Sequence, residues 1–133
     1  MVNDMFGPKS RLRSGFTLIE LIVVLTIVSL MLSIVVPRYF HSIDKAKESM
    51  LRQNLSSMRE TIDKFYGDLG RYPDSLDEMV QRKYIRAVPI DPMTESTTTW
   101  RVVESENQEL GVIYDIHSGS DALALDGSLY SEW

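Results

Sequence analysis

The chain has 133 residues, 44% of them hydrophobic and 25% charged, with a formal net charge of −5 and no cysteine. That length bounds the chain to about one domain, and the lack of cysteine excludes disulfide staples even in an oxidising compartment. Charge is unevenly spread: residues 91–133 hold Arg101 alone against nine acids, a balance that repels phosphates and leaves no nucleic-acid partner expected. Its plain reading is a solvated surface.

Residues 1–15 carry Lys9, Arg11 and Arg13 against Asp4, and an apolar run, FTLIELIVVLTIVSLMLSIVV, follows from Phe16 to Val36 with Glu20 as its one ionisable side chain. A helix over that run rises about 31 Å, roughly the thickness of a bilayer's hydrocarbon core, which argues against a purely soluble enzyme. The basic flank is expected to stay cytoplasmic and to send the rest of the chain outward. A secretory signal places its small-residue cleavage site after the apolar stretch; here Ser14 and Gly15 come before it.

Gly15-Phe16-Thr17-Leu18-Ile19-Glu20-Leu21, behind Arg11 and Arg13, resembles the type III signal of type IV pilins and their relatives. The resemblance implies cleavage between Gly15 and Phe16 by the membrane prepilin peptidase, then methylation of the new amino group of Phe16. A carboxylate inside a membrane helix costs several kcal/mol unless paired or protonated, so Glu20 reads as functional. The resemblance supplies its partner, the freed Phe16 amine of a neighbouring subunit, a pairing that would fix axial register; the alternative is a carboxylate snorkelling to the interface.

Pro37 closes the apolar run and predicts a bend in a helix that crosses it. Beyond it, Ile43, Ala46, Met50, Leu51, Leu55, Met58, Ile62, Phe65 and Leu69 recur at helical spacing, with charges on the other face. The stripe predicts a stem helix packed under a sheet and stopped near Tyr66 by Gly67 and Gly70. Ser75-Leu76-Asp77-Glu78 fits a capping box for a short helix through about Arg82. The prolines at 89 and 92 predict an extended connection. Thr97–Val103 and Val112–His117 read as strands joined by a polar hairpin loop, and the tail as loop with one short strand.

Gly70-Arg71-Tyr72-Pro73, Tyr84-Ile85-Arg86 with Pro89 and Asp91-Pro92, Tyr114-Asp115-Ile116-His117-Ser118-Gly119 and the closing Asp126-Gly127 and Trp133 together resemble the major pseudopilin of type II secretion systems. Two features depart from that pattern: Asp91-Pro92-Met93-Thr94 stands where Asp-Pro-Trp-Gly is usual, and the carboxyl-terminal acidic loop is short and lacks an adjacent Asp pair. The implied fold is α+β, a long amino-terminal α-helix whose first half spans the membrane, packed on a small antiparallel β-sheet. The implied organisation is a cleaved leader over 1–15, a transmembrane segment over 16–36, a periplasmic stem over 37–69 and a globular part over 70–133.

The resemblance also implies a role: a structural subunit, anchored by one span in the bacterial inner membrane with its carboxyl-terminal part in the periplasm. There it polymerises with itself and with minor pseudopilins after extraction from the lipid by an inner-membrane assembly platform. Asp63 and Arg86 fall where such proteins carry charges that join adjacent subunits; two unrelated solvated charges are the alternative. Calcium is expected at Ser118, Asp121 and Asp126, whose oxygens and neighbouring glycines suit that ion; Asx turns by both aspartates, with Leu123 and Leu125 plugging the core, are the alternative. His41 and His117 stand far apart, and no nucleophile–base set or zinc pattern appears, so no enzyme is expected. Two other readings stay open: a type IV pilus major or minor pilin acting in adhesion, motility or DNA uptake, and a membrane-anchored domain that never polymerises.

Overall fold

The computed structural model describes Gly7 and residues 14–133; the leader's basic cluster, Lys9, Arg11 and Arg13, lies outside the described residues. The chain divides into two compact units, residues 1–38 and residues 39–133. Helix α1, Leu18–Leu69, runs through Pro37 and through Gly67, past the stop expected near Tyr66; the chain leaves the helix at Gly70, whose φ of +68° is a left-handed terminus.

In the first unit every large apolar side chain from Phe16 to Val36 is exposed, Phe16 to 89%, and the helix is long and apolar enough to cross a membrane. Thr26 and Ser29 donate their hydroxyls to the carbonyls of Ile22 and Leu25, both at 2.7 Å. That local bond leaves no hydroxyl hydrogen to be satisfied by lipid.

The second unit is built on the later residues of α1. Leu51, Leu55, Met58, Ile62 and Phe65 form one buried face, at the steps of three and four that place side chains on one side of a helix. Met50 (54% exposed) and Leu69 lie off that face, so the buried stripe is narrower than the sequence pattern. It packs with Met79, Trp100, Ile113, Ile116, Ala124 and Tyr130, each large apolar side chain contributing about 1.5–3 kcal/mol when removed from water.

Helix α2, Leu76–Gln81, starts where the capping motif places it: Ser75 Oγ accepts the Glu78 N–H at 3.1 Å, and the Glu78 carboxylate reaches back to the Asp74 N–H at 2.8 Å. The sheet has two antiparallel strands, β1 (Arg101–Glu104) and β2 (Ile113–His117), with Val102 opposite Ile116 and Val103 opposite Asp115. Glu104 then pairs with Ile113, so Tyr114 has no partner and forms a bulge. The bulge explains how Ile113 and Ile116, three apart, both reach the core of a strand whose side chains otherwise alternate.

The first strand is shorter than expected because Thr97–Trp100 is drawn into turns. Thr98 N–H donates to Ser96 Oγ at 3.2 Å, and Trp100 Nε1 donates to the Pro89 carbonyl at 2.8 Å. The tail carries an isolated bridge, Leu123 to Leu129, and a 3₁₀ turn, Tyr130–Glu132, in place of the expected strand.

Candidate functional site

The amino-terminal motif forms a defined constellation at the start of α1. Thr17 stands just before the helix; its backbone N–H donates to Glu20 Oε2 at 3.0 Å, and its Oγ1 accepts the Glu20 N–H at 3.2 Å. This is a reciprocal capping box, two otherwise orphaned helix donors each satisfied by the other residue's side chain. Glu20 Oε1 has no partner among the described residues. The Thr-x-x-Glu spacing marks this box in the sequence, a local role for Glu20 beside pairing with a neighbour or snorkelling to the interface. Gly15 precedes the box, and nothing lies within 4 Å of where a Cβ would stand, so the fold itself asks for no glycine there.

Asp63 and Arg86 are both exposed and do not meet: neither has an ion-pair partner among the described residues. Asp63 borders a cleft with Arg59, Glu60 and Trp133.

The expected calcium residues do not converge. Asp121 Oδ2 accepts Arg101 Nη2 at 2.8 Å, and this partner holds the carboxyl below the usual range. Asp126 Oδ1 accepts both the N–H and the hydroxyl of Ser128, an Asx turn that lowers its pKa. Ser118 is buried and donates its hydroxyl to Asp91 Oδ2 at 2.7 Å. Among the described residues no group of three or more His, Asp or Glu could hold a metal. As arranged, Asp121 is engaged by Arg101, Asp126 by Ser128 and Ser118 by Asp91, three separate sets of partners. The leucines do not plug the core either; Leu123 is 66% exposed, and Ala124 between them is buried.

Three side chains to which the sequence assigned no such contacts hold the tail and loops. Arg59, on α1, donates Nε to Asp115 Oδ1 at 2.7 Å and Nη2 to the carbonyls of Ile116 (2.9 Å) and Trp133 (2.6 Å). Glu48, also on α1, accepts the Leu125 N–H at 2.7 Å and the Tyr130 hydroxyl at 2.8 Å; burial first, and the bond to Glu48 second, push the Tyr130 phenol up to about 12. Asp91, fully buried, ties Ser118 Oγ, the Gly119 N–H and the Met93 N–H together. His117 ends β2 as the sequence suggests, with Nδ1 2.6 Å from the Trp133 carbonyl oxygen.

A Gly-Phe-Thr-Leu-Ile-Glu motif opens an exposed apolar helix long enough to cross a membrane, and the later residues of that helix pack with a small antiparallel sheet, an α+β arrangement consistent with a type IV pilin-like fold. Residues 10–36 match the prokaryotic N-terminal methylation motif. The chain is similar to the type II secretion system core protein G of Aeromonas hydrophila, 29% identical over 100 residues that cover 63% of this chain and 70% of the relative. It is also similar to the core protein G of Klebsiella michiganensis, 30% identical over 59% of this chain and 66% of the relative. Similarity to the type IV major pilin protein PilA of Myxococcus xanthus, 31% identical over 56% of this chain, spans about a third (32%) of that pilin. No solved structure matches the chain.

Proposed function

We propose that the chain is a structural subunit of a periplasmic pseudopilus in a type II secretion system, matured by prepilin peptidase at Gly15–Phe16 and methylated on Phe16. The single observation that carries this reading is the Thr17–Glu20 constellation at the mouth of an apolar helix, within a chain similar to several secretion core proteins G. A filament role asks for chemistry at subunit contacts and none at a catalytic cleft.

The constellation suits it. Glu20 spends one oxygen on its own helix terminus and keeps the other for an incoming cation. In lipid, an uncompensated carboxylate is costly, so a neighbour's Phe16 amine is strongly favoured there. Membrane insertion and polymerisation are then separable events. Asp63 of one copy and Arg86 of the next form a second contact, worth only about 0–1 kcal/mol as a surface pair but repeated at every subunit. Minor pseudopilins, an inner-membrane platform and the surrounding lipids complete the set of partners, with the second unit in the periplasm.

The test is assembly of Glu20→Ala and Glu20→Gln. Glutamine retains an oxygen for the Thr17 N–H and so preserves the cap, but it cannot form the ion pair. Both variants are expected in the membrane and absent from filaments. Normal filaments from Glu20→Gln would remove the pairing from the account.

A further inference from the structure

Residues 91–133 carry nine acids and one cation of their own, Arg101, yet they include the whole sheet and the tail, packed without a disulfide. Counter-charges reach this acidic third from two places. Three cations of α1 face it: Lys47 pairs with Glu95 at 3.7 Å, Arg52 with Asp126 at 3.9 Å and Arg59 with Asp115 at 2.7 Å. The fourth is Arg101 itself, at the start of β1, whose Nη2 donates to Asp121 Oδ2 at 2.8 Å and to the Gly119 carbonyl at 3.4 Å.

The backbone brings Arg101 to that carbonyl. Arg101 stands opposite His117 in the register of β1 and β2, and Gly119 lies so near Thr99 that a Cβ would stand 2.0 Å from the Thr99 carbonyl oxygen. One guanidinium thus binds a main-chain oxygen and a carboxylate of the same loop. A backbone carbonyl with a carboxylate is also the kind of donor set by which a loop holds calcium. Asp126, the second carboxylate of the loop, is likewise faced by a guanidinium: its Oδ1 stays with Ser128, and its Oδ2 faces Arg52, which itself stacks 3.7 Å from the Trp133 ring centroid. A dication brought to either carboxylate meets a positive charge already there, and like charges at that range repel.

We propose that Arg101 and Arg52 are the cations of the tail loop, in the place that the resemblance gives to calcium, so that the loop over 118–129 folds without a divalent ion. Dependence on calcium is exchanged for dependence on salt, because both pairs are about half-exposed or more and are screened by added electrolyte. The assignment concerns the folding of one chain and is independent of any filament.

The test follows amide exchange at Ala124 and Tyr130, which donate to the Ser128 and Ala122 carbonyls at 2.7 and 3.1 Å, in the full chain in detergent micelles. Rates are expected to be equal in excess EDTA and in millimolar calcium chloride at matched ionic strength, and to rise with added sodium chloride. Arg101→Gln should speed exchange about twofold or more, and Arg101→Lys, which keeps the charge, should restore most of the protection. Asp126→Asn keeps an oxygen for Ser128 but loses the charge that faces Arg52, so it should act in the same direction as Arg101→Gln. Protection that rises saturably with calcium in the unaltered chain overturns the proposal, as does unchanged exchange in either Arg101→Gln or Asp126→Asn.

Discussion

A Cβ at position 111 would stand 2.0 Å from the Tyr72 carbonyl oxygen, on a backbone whose φ is +98°. Both the contact and the conformation therefore require glycine. Gly111→Ala should destabilise the second unit by more than about 2 kcal/mol, read as a lowered unfolding midpoint by near-ultraviolet circular dichroism. Gly15→Ala, at a position without neighbours, should leave that midpoint unchanged. Glu78 offers a pH test. A hydrogen bond from Arg71, with further bonds from Asp74 N–H and Arg82, outweighs burial and lowers its carboxyl from 4.5 to about 2. The folded-state value lies below the unfolded one, so the contribution, roughly 2–3 kcal/mol, is complete above pH 4.5 and is lost as pH falls toward 2. Acid melts of the full chain in micelles should show a step in that window, and Glu78→Gln should flatten it; an unchanged profile contradicts the assignment.

At the scale of elements, Arg59 links α1 to β2 and to the end of the tail through one fork of donors. A lysine has one compact charge and cannot reproduce three bonds in fixed directions. Arg59→Lys should therefore behave like Arg59→Ala, each costing about 2–4 kcal/mol and each speeding hydrogen exchange at Ile116 and Trp133; full rescue by lysine would contradict the fork. The same contacts explain what could be read from the sequence. Helix α1 and the Ser75 cap were legible because their signals are local and periodic: an apolar run, steps of three and four, and a Ser-x-x-Glu spacing. The first strand is shorter than its composition suggests because Thr97–Trp100 gives the Thr98 N–H to Ser96 Oγ and the Trp100 indole N–H to the Pro89 carbonyl. Arg59 with Asp115 and Glu48 with Tyr130 join residues 56 and 82 apart, and no local pattern marks them. The aspartates of the tail looked available for an ion because nothing in sequence announced that Arg101 and Ser128 would engage them.

On the scale of the whole molecule, the two units would divide the labour of the proposed filament subunit. From Phe16 to Val36 the first presents exposed large apolar side chains, with the Glu20 carboxylate held at the helix terminus. The second packs its core without a disulfide, on Leu51, Leu55, Met58, Ile62 and Phe65 of α1. In the proposed reading, cleavage at Gly15 would give a subunit whose Phe16 amine pairs with a neighbour's Glu20, which would link processing to polymerisation. The most direct measurement is the intact mass of this chain in filaments sheared from the producing cell and verified by electron microscopy. The account predicts a subunit that begins at Phe16 and carries one added methyl group. Filaments in which the chain retains Gly15 and the residues before it, or filaments from which the chain is absent, would contradict it.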